Sequence, residues 1–430
     1  MTSSEKRTTR RQFLRVSGAL LAAPYFVPAT ALGRGVRRAP SERLTMGFIG
    51  VGNMGGGHLG YFLNHEETQV VAICDVKQWQ REAAGKRVEE HYAAETAAGR
   101  FKGVALYNEF EELLARRDID VVLIAVPDHW HTLVATAACA AGKDVYCEKP
   151  LTLTVREAEQ MVHAARRYDR VFQTGSQQRS SENFRFACEL VRNGRIGRIQ
   201  TVHVNIGMPS TDKVFKPEPV PEGLDWERWL GPAPWQPYNP ERCSGNYSGG
   251  WRYVRDYSGG MTTDWGAHHF DIAQWALGMD GSGPVEFIPP DGSEGSMLTM
   301  VYANGVRLYR GGKVNGILFT GTDGKIEVNR GYLKTWPEEI IREPTRPEEL
   351  HLYDSPGHQQ DWLNCVRWRR RPICDVAIGA SSVTLCHLAN IACWLGRPIK
   401  WDPERREIIG DEAAARWLDR PKRAPWRLYP

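Results

Sequence analysis

The chain has 430 residues, of which 42% are hydrophobic and 25% charged, so it is too long for one ordinary core and we expect a globular protein of two domains. Lysine and arginine outnumber aspartate and glutamate by 55 to 51, but residues 1–31 hold five basic residues and one acidic residue, which leaves 50 of each in the remainder. This balance argues against a nucleic-acid partner and against an anionic membrane surface.

The first 43 residues are predicted to be an export signal and a linker. Thr9–Arg15 contains the pair Arg10-Arg11, an apolar stretch follows at Val16–Phe26, and Ala29-Thr30-Ala31 is a small-x-small cleavage pattern. This order resembles a twin-arginine signal. The resemblance implies that the twin-arginine translocase carries the folded protein to the periplasm, where an uncleaved signal would leave it tethered to the membrane. The alternative is a disordered basic tail.

A glycine-rich turn joins the first two predicted elements of the body. Leu44–Ile49 is typical of a short buried strand, and Gly50-Val51-Gly52-Asn53-Met54-Gly55 follows it directly. Gly50 would allow the tight turn, and Gly52 would let backbone amides approach a pyrophosphate. Gly55 would let the next helix pack closely while its N-terminus faces the phosphates. The turn therefore predicts a dinucleotide site that includes Asn53 and Met54.

An acidic residue ends the next predicted strand. Val70–Cys74 precedes Asp75, which lies twenty residues beyond Gly55. A carboxylate at that distance can bind both ribose hydroxyls of NAD and would repel the 2′-phosphate of NADP. The predicted cofactor is therefore NAD, although Lys77 could meet a phosphate and leaves NADP open.

Apolar strands and helices continue to alternate up to about residue 178. The predicted elements are strands at Ile119–Val126, Asp144–Cys147 and Val171–Thr174, and helices at Leu133–Ala141 and Val155–Tyr168. Such alternation is typical of a doubly wound parallel sheet with helices on both faces. We therefore predict an α/β fold with an N-terminal Rossmann domain over residues 44–178.

A second, α+β domain with an open, mostly antiparallel sheet is predicted over residues 179–400. Its short strands are Ile199–Ile206, Ser296–Tyr302, Val306–Arg310, Ile317–Thr320 and Lys325–Asn329. Two helices are predicted at His358–Arg370 and Ala377–Leu395, before a C-terminal tail at 401–430. A Pro- and Trp-rich insert, residues 209–257, interrupts the domain, and segments of this length without periodicity are usually functional.

The aromatic residues of the insert and the nine cysteines can both be explained by structural roles. The aromatic residues of the insert could stack against the C–H faces of a sugar, but for most of them we favour a surface arm or a subunit contact. The nine cysteines are odd in number and include no C-x-x-C pair. Because most lie in apolar patterns, we predict no disulfide framework.

Polar residues follow three predicted strands of the first domain, where an open parallel sheet binds its ligands. They are Pro127-Asp128-His129-Trp130-His131, Glu148-Lys149-Pro150 and Gln177-Gln178-Arg179. Lys149 would lie beside the nicotinamide, where a cation can polarise a substrate hydroxyl or carbonyl. Gln178 and Arg179 could bind substrate in the same cleft or satisfy backbone groups.

A segment rich in aspartate and histidine lies in the second domain, from Gly259 to Asp271. If Trp265–Leu277 is a helix, Asp264, His268 and Asp271 fall on one face. A carboxylate beside a histidine orients and tunes a general base. The segment therefore predicts either an acid/base group at His268 or an ordinary histidine beside a helix cap.

Taken in order, the glycine-rich turn, Glu148-Lys149-Pro150 and Asp264-x-Gly266-x-His268-x-x-Asp271 resemble the motifs of the Gfo/Idh/MocA oxidoreductases, over about residues 44–400. The resemblance implies that Lys149 assists at the reacting hydroxyl, that His268 acts as acid/base, and that Asp264 positions substrate or base. It also implies that His131 lies close to the cofactor and that the nucleotide is held tightly. In that family the open sheet often forms the interface of a homo-oligomer, so we expect a dimer or tetramer.

The predicted site residues fall into three groups, and no metal ligand is among them. The catalytic group is Lys149, His268 and Asp264. The cofactor group is Gly50, Gly52, Asn53, Met54, Gly55, Asp75, Pro127, His131, Glu148 and Lys149. The substrate group is Gln178, Arg179, Asp264, His268 and His269.

Four functions are compatible with these residues. The first is NAD-dependent hydride transfer at a secondary alcohol of a sugar, polyol or glycoside. The second, found in a branch of the same family, is redox-neutral glycoside cleavage, in which oxidation at C3 acidifies the C2 proton, the leaving group is eliminated, water adds and hydride returns. A metal-dependent hydrolase is suggested by His129-x-His131 and His268-His269. A noncatalytic sugar- or nucleotide-binding protein is the fourth.

Overall fold

The computed structural model describes residues 42–245, 247, 249–312 and 314–428, and the predicted export signal lies outside these ranges. The strands of the first sheet are β1 (Leu44–Ile49), β2 (Thr68–Cys74), β3 (Ala105–Tyr107), β4 (Val121–Ile124), β5 (Asp144–Cys147) and β6 (Phe172–Thr174). The strands of the second sheet are β7 (Ile199–Val204), β8 (Glu286–Ile288), β9 (Leu298–Val301), β10 (Arg307–Arg310), β11 (Ile317–Gly321), β12 (Lys325–Asn329), β13 (Tyr332–Trp336), β14 (Ile399–Asp402) and β15 (Glu407–Ile408). The helices are α1 (Asn53–Leu63), α2 (Gln78–His91), α3 (Ala93–Ala97), α4 (Phe110–Leu114), α5 (Asp128–Ala140), α6 (Val155–Arg167), α7 (Glu182–Arg192), α8 (Trp226–Leu230), α9 (Pro240–Cys243), α10 (Met261–Asp264), α11 (Gly266–Leu277), α12 (Glu339–Arg342), α13 (His358–Trp368), α14 (Val376–Leu395) and α15 (Glu412–Ala415).

The first sheet is parallel throughout and has the strand order β3-β2-β1-β4-β5-β6. Strands β2 and β4 are buried along their whole length, and Thr68 and Gln69 at the start of β2 are their only polar residues, as expected when helices cover both faces of a sheet. The chain order reverses between β1 and β4, which is where doubly wound sheets bind their ligands. The predicted Rossmann fold is confirmed.

Helix α5 begins five residues earlier than the sequence predicted, at Asp128 rather than Leu133. Pro127 has φ −60° and ψ 150° and precedes the first helical residue, a position where its fixed φ and missing N–H are tolerated. An acidic residue in the first turn also favours the start of a helix. The segment from Pro127 to His131 is therefore the first turn of a helix and not an extended strand end.

The second sheet has nine strands in the order β13-β12-β11-β7-β10-β9-β8-β14-β15. Only the β7–β10 pair among the described strands of this sheet is parallel. Residues alternate between buried and exposed, as in β12, where Ile326 and Val328 point into the core. Helices α7, α11 and α14 pack on that buried face, so the predicted α+β domain is confirmed.

The C-terminal part of the chain contributes to both domains, which corrects the predicted boundaries. Helix α13 places Trp362 and Leu363 in the core of the first domain, and Trp426 also packs against that core. The segment predicted as a tail from residue 401 contains β15, and β14 joins β8 in the second sheet. The reason is that both apolar surfaces stay open until these later segments cover them.

The insert, residues 209–257, has a small core of its own. The rings of Trp226 and Trp229 stack at 4.9 Å with an interplanar angle of 12°, and Leu230, Val254 and Tyr257 pack around them. These aromatic residues are therefore structural, as favoured for most of the insert. Trp229 also lines the cleft described below, as do Tyr247 and Trp251.

Helix α14 is long and apolar enough to span a membrane, with a mean hydropathy of 1.5. However, 72% of that window is buried in the protein, where the helix packs against α6 and α11. It is therefore a core helix that joins the two domains. All nine cysteines are free, and eight of them are buried.

Candidate active site

A cleft opens at the carboxyl edge of the first sheet, where the strand order reverses. One wall is the glycine-rich turn and the ends of β2, β4 and β5. The opposite wall comes from the insert, through Tyr247, Trp251 and Arg252, and from Asp264 at the end of α10. The cleft therefore lies between the two domains and is built by both.

The glycine-rich turn has the geometry that a dinucleotide requires. Gly50 has φ +85°, in the region that glycine favours, and a Cβ there would lie 2.4 Å from the carbonyl oxygen of Ala125. A Cβ on Gly55 would lie 2.1 Å from the carbonyl oxygen of Gly50, whereas one on Gly52 would meet nothing within 4 Å. The turn is thus tightly packed behind and open towards the cleft, so its backbone and the N-terminus of α1 fit a pyrophosphate.

Substitution of Gly55 by alanine tests this packing. Because the new Cβ would push α1 away from the turn, we expect NAD+ to bind at least about tenfold more weakly, with an unfolding free energy lower by about 1–3 kcal/mol, as for other overpacked sites. The matched control is Gly57→Ala in the same helix, where a Cβ meets nothing within 4 Å. Calorimetric titration with NAD+ and thermal unfolding of both variants measure the difference, and equal affinities would contradict the packing argument.

Asp75 follows β2 and is fixed by two backbone groups. Its carboxylate accepts hydrogen bonds from the backbone N–H of Val51 (2.9 Å) and of Lys77 (2.9 Å). The Lys77 ammonium donates to the carbonyl oxygen of Cys243 in the insert (3.2 Å). Asp75 therefore lies where the sequence predicted, and Lys77 is engaged by the insert, which supports NAD over NADP.

Glu148 and Lys149, the two residues after β5, have different roles. Glu148 holds neighbouring elements together, and Lys149 contacts Asp264 across the cleft. Glu148 is buried, and its carboxylate contacts Nε2 of His58 on α1 (2.8 Å) and accepts from the backbone N–H of Lys149 (3.2 Å). Burial opposes its ionisation, but the hydrogen bond and charge of His58 lower the pKa of Glu148 overall. Glu148 thus links α1 to β5 at the wall of the cleft.

Lys149 and Asp264 form the ion pair that joins the two domains in the cleft. Nζ of Lys149 donates to Oδ1 of Asp264 (2.9 Å) and to its backbone carbonyl oxygen (3.2 Å). Nε of Arg252 lies 3.7 Å from the same Oδ1. Two predicted catalytic residues, more than a hundred positions apart in the sequence, are therefore in contact, and the insert adds a second cation.

His268 is buried on α11, and its Nδ1 has no hydrogen-bond partner among the residues that the structure describes. Burial lowers the pKa of His268 well below its usual value, and the charges of Lys149 and Arg330 lower it further. The ring is therefore neutral near pH 7, the state in which an imidazole can accept a proton. It lies beside the cleft wall formed by Lys149 and Asp264 and is not itself part of that wall.

The prediction that Asp264, His268 and Asp271 lie on one continuous helix is wrong for Asp264. The helix is interrupted at Trp265, so Asp264 ends α10, whereas His268 and Asp271 both belong to α11. Gly266, the first residue of α11, packs so closely that a Cβ would lie 2.8 Å from Sγ of Cys386. Asp264 pairs with Lys149, and Asp271 is bound by other residues.

Arg179 was predicted to bind substrate, but the structure places it in a buried ion cluster. Its guanidinium donates to both carboxylate oxygens of Asp271 (2.7 and 2.9 Å) and to Asp280 (2.6 and 3.0 Å). Ser382 donates a further hydrogen bond to Asp271 (2.6 Å). With its donors satisfied and 1% of its surface exposed, Arg179 has no group free for a substrate.

The other predicted substrate residues lie around His268. The amide of Gln178 bridges the carbonyl oxygen of His268 (3.1 Å) and Nε of Arg330 (3.1 Å). His269 is buried, and burial, with the charge of Arg330, lowers its pKa to about 4. Gln178 therefore supports the backbone of His268, and His269 is a neutral ring beside Trp265.

His131 was expected close to the cofactor, but it does not line the cleft. Its Nδ1 lies 2.8 Å from the carbonyl oxygen of Pro150, so it positions the turn that carries Lys149. Nε2 of His129 is bound by the carbonyl oxygen of Trp229 (3.1 Å). Because both histidines lie in a helix, the extended His-x-His pair is wrong, and within the described ranges no group of three or more potential ligands could hold a metal ion.

Asp128 and Arg252 line the cleft, although no individual role was predicted for either of them from the sequence. Asp128 is buried at the start of α5, and its Oδ2 accepts a hydrogen bond from Ser258 (2.6 Å). Its position directly after a predicted strand was a usable signal. Arg252 belongs to the aperiodic insert, so no local pattern could have identified it.

The insert is fastened across the nucleotide end of the cleft. Backbone hydrogen bonds join Gln78 to Gly223 (2.8 Å) and Asp225 to Val76 (3.1 Å). Nδ2 of Asn53, in the glycine-rich turn, donates to the carbonyl oxygen of Gly245 (2.9 Å). The insert therefore covers the predicted cofactor site from the turn to the end of β2.

Comparisons with known proteins agree with this architecture. Two models of Gfo/Idh/MocA proteins match: "Oxidoreductase family, NAD-binding Rossmann fold" over residues 44–176 and "Oxidoreductase family, C-terminal alpha/beta domain" over residues 208–428. Glycosyl hydrolase family 109 protein 1 of Shewanella sp. (strain ANA-3) is 33% identical over 173 residues, which are 37% of each chain. Myo-inositol 2-dehydrogenase of Thermotoga maritima is 26% identical over 250 residues, which are 58% of each chain.

The matched segments thus span between about a third and three fifths of these curated relatives. Among solved structures, the WlbA dehydrogenase from Bordetella pertussis, in complex with NADH and UDP-GlcNAcA, has a TM-score of 0.56 at 19% identity. That match covers 84% of this chain and 99% of the other. At this identity the likeness shows a shared two-domain fold.

Proposed function

Because the chain belongs to the Gfo/Idh/MocA oxidoreductase family, we propose that it transfers hydride between NAD and a secondary alcohol or ketone of a sugar, polyol or glycoside. The observation that carries the proposal is the Lys149–Asp264 pair (2.9 Å) at the cleft end remote from Asp75. Similarity to an inositol dehydrogenase and to a sugar-nucleotide dehydrogenase supports the class of substrate. Export by the twin-arginine route is part of the proposal, and N-terminal sequencing of periplasmic protein would test it.

Bound NAD+ supplies the hydride acceptor of this reaction. The ammonium of Lys149 polarises the substrate hydroxyl, and Asp264 fixes that ammonium through two contacts. The imidazole of His268, beside this pair, is the proposed acceptor of the hydroxyl proton, and its lowered pKa leaves it unprotonated near pH 7. Gln178 holds the backbone of His268 in place. The alcohol thus loses a proton to the protein and a hydride to the cofactor.

The same site supports a second function, redox-neutral glycoside cleavage. The match to a family 109 glycosyl hydrolase favours it. In that reaction the hydride returns to the sugar after elimination and addition of water, so Lys149 and His268 act in both half-reactions. Tyr247 and Trp251 in the cleft wall offer rings for the sugar in either case.

We also propose that the nucleotide is held tightly. The insert is bonded to the glycine-rich turn, to Val76 and to Lys77, which together frame the nucleotide end of the cleft. Release of the nucleotide would require several of these hydrogen bonds to open together. A retained nucleotide must be regenerated within each catalytic cycle, which suits an exported enzyme.

The test uses purified protein without added nucleotide. A panel of sugars, polyols and glycosides is mixed with it while nicotinamide absorbance near 340 nm is followed, on the order of minutes, and products are assayed. We expect nicotinamide to copurify, and lasting reduction matched by a keto-sugar would identify the oxidoreductase. Glycoside cleavage with the absorbance returning to its start would identify the second function. Protein that neither contains nor binds nicotinamide would contradict both.

A further inference from the structure

Asp128 lies at the point where the strand order reverses. It begins α5 directly beyond β4, which is flanked by β1 and β5 in the sheet. Strand β1 leads into the glycine-rich turn, β5 leads into Lys149, and Asp128 lines the cleft between them. A dinucleotide crosses this edge with its pyrophosphate at the turn. With the adenosine end at Asp75, the nicotinamide end is directed to the side of β4 and β5.

In the described structure, one of the two carboxyl oxygens of Asp128 has a hydrogen-bond partner and the other has none. Oδ2 accepts the hydrogen bond from Ser258 (2.6 Å), while Oδ1 is buried without a partner in the described part of the chain. A buried polar atom without a partner costs free energy. A ligand that gives Oδ1 a partner or a charge would recover that cost.

The charged groups around Asp128 come from three parts of the chain: Lys149 follows β5, Arg252 belongs to the insert, and Asp264 ends α10. The thiol of Cys147 on β5 is also near, but burial raises its pKa well above the usual value, so it is neutral. Lys149 and Arg252 both approach Asp264, so two cations share one carboxylate. Asp128 is the second acid in this group, and its Oδ1, which has no partner in the described residues, is the atom that a further positive charge in the cleft could meet. Burial raises the pKa of Asp128 to about 8, against the effect of the Ser258 hydrogen bond.

We propose that Asp128 matches its charge to the redox state of the cofactor: its carboxylate pairs with the positively charged nicotinamide ring of NAD+, and it binds a proton when the ring is reduced. This inference rests on the proposed NAD-dependent function. Hydride transfer adds two electrons and one proton to the ring and removes its positive charge. The proton that Asp128 gains comes from solvent. The ring and Asp128 together are neutral before and after the transfer.

The proposal predicts the direction in which the affinity for NAD+ changes with pH. Below pH 8 Asp128 must lose a proton before it can pair with NAD+, so NAD+ should bind more tightly as the pH rises from 6.5 to 9. We expect about a tenfold gain for each unit by which NAD+ lowers the pKa. NADH, whose ring is neutral, should show no such gain. Binding of NAD+ at pH 7 should also release a proton, measured with an indicator dye.

The experiment titrates the full chain, stripped of nucleotide, with NAD+ and NADH at several pH values. Asp128→Asn should remove the pH dependence of NAD+ affinity and leave NADH affinity within about twofold. Ser258→Ala, which deletes the hydrogen bond that lowers the pKa, should move the transition to higher pH. Asp75→Asn is the matched control: it lies at the other end of the cleft and should weaken both nucleotides equally.

Two results would overturn the inference. One is an identical pH dependence for NAD+ and NADH in the unmodified protein, and the other is a difference that persists in Asp128→Asn. If that variant does not fold, the shift in Ser258→Ala and the proton release decide the question. Binding of both nucleotides without a pH difference rejects only this inference. Failure of both nucleotides to bind rejects the proposed function as well.

Discussion

Replacement of Lys149 by methionine is expected to lower the rate of hydride transfer by about 10²- to 10⁴-fold, the contribution of a positioned polarising or proton-transferring group. Methionine keeps the length of the apolar stem and removes the cation. The fold should survive, because Asp264 keeps Arg252 at 3.7 Å from its Oδ1. Stopped-flow measurement of nicotinamide reduction at saturating nucleotide, with a substrate identified in the panel, gives the rate directly.

The control for Lys149→Met is Lys77→Met. Lys77 lines the nucleotide end of the same cleft and donates to the carbonyl oxygen of Cys243. Its loss should weaken nucleotide binding but preserve the rate once the nucleotide is saturating. If Lys149→Met reacted within tenfold of the unmodified protein under those conditions, the assignment of Lys149 as a catalytic residue would be wrong.

Replacement of Arg179 by methionine is expected to lower the unfolding free energy by about 3–5 kcal/mol, as when one partner of a buried ion pair is removed. Asp271 would be left as a fully buried carboxylate with Ser382 as its remaining hydrogen-bond donor from a side chain in the described structure. Denaturant unfolding measures the loss. The double variant Arg179→Met/Asp271→Leu should recover part of it, because no unpaired charge remains.

A surface ion pair provides the comparison for Arg179. Arg342 pairs with Glu338 one helical turn away (2.9 Å), and both side chains are mostly exposed. Arg342→Met should therefore change the unfolding free energy by about 0.5 kcal/mol or less. An Arg179→Met protein of unchanged stability but much higher KM would instead support the substrate role predicted from the sequence.

Local patterns predicted the first domain well because they report local physics. Gly50 and Gly55 were identified by spacing alone, and the structure shows the positive φ and the close approach that demand glycine at these positions. The apolar runs of β2 and β4 likewise indicated burial on both faces. Gly55 packs against Gly50 within the same turn, so this contact is local, whereas the contact of Gly50 with Ala125 forms only when the sheet assembles.

The sequence-based predictions failed where contacts with residues far away in the sequence determine the position of a side chain or the end of a helix. Arg179 and Lys149 both follow strand ends, yet Arg179 meets two carboxylates from the second domain, whereas Lys149 meets one at the cleft. The interruption at Trp265 lies next to Gly266, which packs against Cys386, a residue more than a hundred positions later in the sequence. The register of the insert against Val76 and Lys77 could not be read from the insert itself.

The position of α13 bears on how the protein is made. Trp362 lies among the aromatic side chains of the first domain, with ring centroids 5.9 Å from Phe62 and 5.6 Å from Tyr146. During synthesis the strands of the Rossmann sheet leave the ribosome long before this tryptophan. Until α13 is made, the sheet therefore has an uncovered apolar groove. Nascent or truncated chains that end before residue 358 expose that groove, the kind of surface that chaperones and proteases bind. Completion of the nucleotide-binding core therefore requires that the chain has been translated beyond residue 363.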